Sequence, residues 1–132
     1  MNILSIKDVV KTYESKIAVN HVTFDIPEGI IYGMLGPNGA GKTSLIRIIT
    51  TITRPDSGEI LFNNERLNES HTSFIGYMPE ERGLYKKMKV GEQLVYLAQL
   101  KGMSHKDAKS TIDGWVEKFD IKDWYNKKIM DL

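Results

Sequence analysis

One stretch of this chain has the residue types and spacing to hold a polyphosphate: Gly36-Pro37-Asn38-Gly39-Ala40-Gly41-Lys42-Thr43. It fits G-x-x-x-x-G-K-[ST], a loop whose main-chain amides cradle phosphates. Several consecutive N–H groups must converge on one anion, and side chains with a Cβ would crowd that hollow. Gly36, Gly39 and Gly41 remove the obstacle and permit positive φ. A helix opening at Lys42 would add unpaired amides and the positive end of its dipole. Lys42 places a point charge on the outer phosphates. The Thr43 hydroxyl is a hard oxygen ligand suited to Mg²⁺, and Ser44 is placed to reach the inner phosphate. With glycine near 7% of average composition, a chance match is expected in roughly half a percent of chains this long, or fewer.

Such a loop works only between a strand and a helix, and the flanking sequence predicts both. Residues 30–35 (Ile-Ile-Tyr-Gly-Met-Leu) are apolar on both faces, as in a strand covered on both sides. Residues 42–50 carry Leu45, Ile46, Ile48 and Ile49 and read as a buried helix, which Pro55 keeps from running on past Arg54. Upstream, Val22, Phe24 and Ile26 alternate with Thr23 and Asp25, the period of a half-buried strand, and Pro27-Glu28-Gly29 is a turn. Residues 60–62 and 74–78 read as two further short strands. Val90, Leu94, Leu97 and Lys101 mark one helix face, with Gly102 placed to end it. Ser104, with Asp107 three residues on, resembles a capping box. It precedes a stripe of Ala108, Ile112, Trp115, Val116 and Phe119 that reads as core or docking surface rather than a cofactor site. The order is strands, loop, helix, strands, helices: an α/β architecture.

The 132 residues amount to about one domain. Apolar residues make up 41% and charged residues 27%, the balance of a folded chain rather than a disordered one. Eighteen basic against 17 acidic residues leave a net charge of +1, which argues against a nucleic-acid partner held by bulk electrostatics. The absence of cysteine excludes disulfides, thiolate metal sites and a cysteine nucleophile. No apolar run reaches the ~20 residues of a membrane-spanning helix. The first eight residues, Met-Asn-Ile-Leu-Ser-Ile-Lys-Asp, do not form a secretory signal, so a soluble cytoplasmic protein is expected.

The wording of the loop is more specific than the generic pattern. It resembles the Walker A motif of the nucleotide-binding subunits of ABC (ATP-binding cassette) transporters, and the surroundings agree. Val9-Val10-Lys11-Thr12-Tyr13 resembles that family's aromatic A-loop, which implies that Tyr13 stacks on adenine. Residues 18–24 and 27–30 resemble the two strands leading to the loop. Pro55-Asp56-Ser57-Gly58 resembles the family's Pro-x-x-Gly turn, and Ile75-Gly76-Tyr77-Met78-Pro79 the strand before its Q-loop. The resemblance implies the α/β fold of a P-loop ABC ATPase core, with a β-rich and P-loop portion at 1–85 and the start of a helical subdomain at 86–132. It implies Mg-ATP as cofactor, held by Tyr13 and residues 36–44, with Lys42 and Glu80 in catalytic positions and Thr43 and Glu80 as metal ligands. It implies a transmembrane transporter subunit and a second ATP-binding subunit as partners, no nucleic acid, and a place at the inner face of the cell membrane through that partner.

This sequence departs from the family's pattern in two ways. Glu80 stands where the family usually has glutamine; it keeps a hard oxygen ligand but loses the amide donor and adds negative charge near the γ-phosphate. The run Met78-Pro79-Glu80-Glu81-Arg82-Gly83-Leu84-Tyr85 resembles an export subgroup that includes sodium-efflux-like and drug-resistance-like systems. The second departure is larger. The Leu-Ser-Gly-Gly-Gln signature, the Walker B aspartate, the glutamate after it and the switch histidine do not occur in these 132 residues; Asp131 follows no apolar strand, and His21, His71 and His105 stand elsewhere in the order. The expectation is an N-terminal portion of the subunit, truncated before the signature, that binds nucleotide weakly without turnover. A different P-loop enzyme (a GTPase or small kinase) and a non-catalytic interaction module remain alternatives, although neither Asp-x-x-Gly nor Asn-Lys-x-Asp is present. Lys86, Lys87 and Lys89 form a basic cluster readable as a solvated loop or a docking patch. Lys106, Lys109, Lys127 and Lys128 read as solvated helix surface.

Overall fold

A computed structural model describes residues 1–79 and 83–132, which divide into two compact units, Met1–Tyr77 and Met78–Leu132.

The first unit is built on a long hairpin. β1 (Asn2–Tyr13) and β2 (Lys16–Pro27) pair antiparallel, β3 (Ser57–Phe62) adds to the other edge of β1, and β4 (Glu65–Arg66) closes a four-stranded sheet ordered β2-β1-β3-β4. The predicted alternation in β2 holds: Val22, Phe24 and Ile26 are half-buried, while Thr23 and Asp25 are exposed. Two residues at positive φ, Asp8 and His21, face each other across a register shift in this pair. Asp8 takes its His21 partner at 2.6 Å, and its amide donates to the Thr23 hydroxyl at 2.8 Å. One helix, α1 (Lys42–Ile49), covers the sheet. Its Leu45 and Ile48 lie three apart and join Leu4, Ile6, Val9, Val19 and Ile60 in the core.

Two predicted strands are absent. Residues 30–35 run between β2 and the glycine loop without a ladder partner, and Ile31 and Leu35 are almost wholly exposed. Phe74 ends a short 3-10 turn (Glu69–Ser73), and residues 75–78 have no ladder either. An apolar run becomes a strand only when another strand supplies hydrogen bonds, and among the described residues none pairs with either segment. The sheet is correspondingly antiparallel rather than the parallel sheet that a doubly covered strand at 30–35 implies.

In the second unit α2 (Val90–Leu100) packs on α3 (His105–Lys118). Ser104 caps α3 as predicted, its hydroxyl accepting from the Asp107 amide at 3.1 Å, and Gly102 at φ +98° ends the chain's path out of α2. The inward face of α2 is rotated from the one expected. Gly91 and Val95 are buried and Leu94 is half-buried, whereas Leu97 is exposed. The cause is Tyr125, whose ring lies where a Cβ on Gly91 would stand, 2.4 Å from it. The α3 stripe splits as well. Ala108, Ile112 and Val116, four apart, face inward, while Trp115 and Phe119 stack on each other in solvent at 5.4 Å. Lys127 and Lys128 lie beyond α3, not on a helix, beside residue 89. No helix among the described residues is long and apolar enough to cross a membrane.

Candidate functional site

The glycine loop leads into α1 as its spacing predicts. Gly41 is the residue before the helix, with φ 96° and ψ 4°, and Gly39 also has positive φ. Both are left-handed positions where a Cβ is strained. Gly41 serves a second purpose: a Cβ there would lie 1.9 Å from the carbonyl oxygen of Ala18, so the loop presses directly on the β2 backbone. Gly36 is tight as well, with a Cβ position 3.3 Å from the Ala40 side chain. Pro37 and Ala40 close the turn, the Ala40 amide donating to the Pro37 carbonyl at 3.1 Å, and Asn38 lies between them, exposed.

The mouth of this loop is electropositive. The amides of Lys42, Thr43 and Ser44 belong to the first turn of α1 and have no acceptor four residues back; the first such bond runs from Leu45 to Gly41. The Lys42 ammonium lies over the loop and donates to the carbonyls of Gly36 and Pro37, the latter at 2.9 Å. Thr43 is exposed, and Ser44 is half-buried one residue further in. Unpaired amides, a helix dipole and one ammonium make a site that favours anions. These residues fit a polyphosphate and one Mg²⁺ ligand. Among the described residues no group of three or more acidic or histidine side chains comes together as a metal cage, so a divalent ion would depend on the phosphates for most of its oxygens.

Tyr13 lies at the end of β1 with its ring partly exposed, directly opposite Lys16 in the register. The Lys16 ammonium donates to the carbonyl of Gly39 at 3.3 Å, tying that end of the hairpin to the loop. The Lys11 ammonium lies 5.5 Å from the Tyr13 ring centre. A cleft of about 500 Å³ runs beside the loop, lined in part by Ala18, Tyr32, Gly41 and Lys42. Glu80, expected as catalytic residue and metal ligand, lies outside the described residues.

Sequence reasoning did not single out Lys16, Ala18 or Asp56, although each helps to set the site. The Asp56 carboxylate accepts from the Thr12 amide at 2.7 Å and pairs with Lys11 at 3.4 Å, while its own amide donates to the Val10 carbonyl at 2.8 Å. The Pro-x-x-Gly turn therefore clamps the strand end that carries Tyr13. That hydrogen bond, aided by Lys11, holds the Asp56 carboxyl below its ordinary range, against a smaller opposing effect of desolvation. A hint was available in the sequence: lysines at 11 and 16 bracket the tyrosine across a hairpin turn.

Comparison with known proteins points one way. The sequence model of the ABC transporter family matches residues 19–132. An uncharacterized ABC transporter ATP-binding protein of Bacillus subtilis, YhaQ, is 46% identical over 129 residues, 98% of this chain and 43% of that protein. An uncharacterized ABC transporter ATP-binding protein of Methanocaldococcus jannaschii is 34% identical over 129 residues, 98% of this chain and 46% of its own length. A solved ATP-binding subunit of an ABC transporter superposes with a TM-score of 0.79 at 26% identity, over 96% of this chain and 54% of that one. The chain thus spans less than half the length of these two curated relatives.

Proposed function

This chain belongs to the ABC transporter family, and we propose that it binds Mg-ATP through the loop at 36–43 as the leading portion of an ATP-binding subunit, 1–85 contributing the phosphate-loop core and 86–132 the start of the helical subdomain. The observation that carries the proposal is the Gly41 junction: a left-handed residue pressed on the Ala18 carbonyl, opening a helix whose free amides and Lys42 ammonium share one mouth. The phosphates would lie on residues 36–44, with Lys42 at the outer ones, Mg²⁺ on Thr43 and Glu80, and adenine on Tyr13. The support for Tyr13 is its partly exposed ring on a hairpin end tied to the loop through Lys16. Bound nucleotide supplies the phosphoanhydride whose hydrolysis would power transport in the whole protein, with a transmembrane subunit and a second ATP-binding subunit as partners at the inner membrane face. The chain by itself would not turn ATP over. Phosphoryl transfer needs a positioned water as well as a cradle, and the family's residues for that task are not among these 132.

Titration calorimetry of the chain with Mg-ATP tests the reading. Saturable heat that disappears in Lys42→Ala supports it, and a chain that is folded yet gives only heat of dilution overturns it. Preference for GTP over ATP would assign the loop to a different P-loop enzyme. ATPase activity of the purified chain, abolished by Lys42→Ala, would overturn the absence of turnover.

A further inference from the structure

Lysine side chains keep their charge in water wherever the fold allows it, yet that of Lys11 is only 17% exposed. Two groups stand in for the missing water. Asp56 Oδ1 accepts from the Lys11 ammonium at 3.4 Å, and the Tyr13 ring lies beneath that ammonium, 5.5 Å away at its centre. Taking an ammonium out of water is costly unless a carboxylate or an aromatic face compensates it, so these two contacts hold the charge in place.

Asp56 is itself fixed. Its Oδ2 accepts from the Thr12 amide at 2.7 Å, so both carboxylate oxygens are engaged on β1. Its amide donates to the Val10 carbonyl at 2.8 Å, and Ser57 is the register partner of Val10. Gly58, at φ +89°, has a Cβ position 2.3 Å from the Asp8 carbonyl oxygen, so the turn sits directly on the β1 backbone. The turn aims the carboxylate, the carboxylate places the ammonium, and the ammonium covers one face of Tyr13.

An aromatic ring carries negative potential on both faces, which opposes face-to-face contact with a second ring. A cation over one face offsets that potential and leaves the opposite face as the side for a planar partner. Tyr13 is 42% exposed, and among the described residues no other ring stacks on it. A neutral purine suits this platform. A cationic ligand does not, because Lys11 and the register partner of Tyr13, Lys16, would both repel it.

We infer that Lys11, held by Asp56, is a positioning residue for the nucleobase: its ammonium backs the Tyr13 ring and favours stacking of a neutral, electron-rich base on the other face. This rests on the stacking of adenine at Tyr13 proposed above and adds the pair that prepares the ring for it. Calorimetry of the chain with Mg-ATP and with magnesium tripolyphosphate, which has the phosphates but no base, tests it. Lys11→Met keeps most of the stem and removes the ammonium. Asp56, 45% exposed, stays solvated and keeps the Thr12 amide, so the chain should remain folded. Affinity for Mg-ATP should fall about fivefold, and affinity for tripolyphosphate should not change. In a Tyr13→Ala chain the same substitution should leave Mg-ATP affinity within about twofold, because Lys11 acts through the ring. Where Lys11→Met lowers the melt, Lys11→Gln takes its place: it can still donate to Asp56 but puts no charge over the ring, and the same losses are expected. Equal loss for the two ligands, no loss for Mg-ATP, or an undiminished loss in the Tyr13→Ala chain overturns the inference while the phosphate loop stands. Unchanged Mg-ATP affinity in Tyr13→Ala alone overturns the stacking and the inference with it. A folded parent that binds neither ligand fails at the loop itself, and the inference falls with that reading.

Discussion

Replacing Gly41 by alanine tests the geometry on which the phosphate loop rests. The residue has φ 96° and ψ 4°, and an L-residue held there costs about 1–2 kcal/mol. The added methyl also has no room. It would lie 1.9 Å from the Ala18 carbonyl oxygen and 3.0 Å from its carbon, and closest ordinary C···O contacts are about 3.3 Å, so loop and β2 must part by about 1.4 Å. Overpacking of this kind costs about 1–3 kcal/mol, giving a total of about 2–5 kcal/mol. That is a large share of the ~5–15 kcal/mol by which a domain is stable. Gly39→Ala is the matched comparison. It has the same left-handed backbone, at φ +84°, but its Cβ meets only the end of the Lys16 side chain, at 3.6 Å. It should therefore cost only the backbone term of about 1–2 kcal/mol. Urea unfolding followed by far-UV circular dichroism measures both. In calorimetry, any Gly41→Ala chain that remains folded should bind Mg-ATP more weakly than the parent, because parting the loop from β2 misaligns the amides. Equal stability losses in the two variants would refute the argument, since only the Ala18 contact distinguishes them.

Three further outcomes follow from single residues. Gly91→Ala should destabilise the second unit by about 1–3 kcal/mol, because Tyr125 fills its Cβ position, whereas Gly114→Ala on α3 meets nothing and should stabilise by about 0.8–1 kcal/mol; thermal melts of the pair decide. Ser104→Ala removes the α3 cap and should cost about 1 kcal/mol in urea unfolding. The Asp56 carboxyl is held below its ordinary 3.8 in the folded chain, so its contribution is fully present above that value and is lost as pH falls through the lower folded one. The stability gap between the parent and Asp56→Asn, followed by melts across pH, should accordingly be constant near neutrality and close under acid; a gap that persisted in acid would show that the charge is not what holds Thr12.

Much of the site was legible because its signals are local. The positive φ at Gly39 and Gly41, the helix opening at Lys42, the cap at Ser104 and the stop at Gly102 each express what one residue permits or forbids in its own backbone. β2 was readable for the same kind of reason, since the alternation at 22–26 records which side of a sheet each residue must face. Other elements carried strong apolar signals and were still misread. Residues 30–35 and 74–78 have the composition of strands, but composition cannot supply a hydrogen-bonding neighbour. Leu97, Trp115 and Phe119 fit helical stripes, yet a ring from residue 125 and the crossing of α2 and α3 set which side faces inward.

By itself, then, the sequence determined the dihedrals and donors of the phosphate loop, the ends of α2 and α3 and the charge carried by each segment, because these depend on atoms within a few bonds or one helical turn. Only the tertiary structure decided that the Ala18 carbonyl forms the floor beneath Gly41, that Asp56 clamps the strand end bearing Tyr13, and that Lys89 lies against Lys128. Those contacts join residues 23, 44 and 39 positions apart (41 − 18, 56 − 12, 128 − 89), and which of many remote partners a group meets is fixed by the packing of the whole unit rather than by its neighbours in the chain.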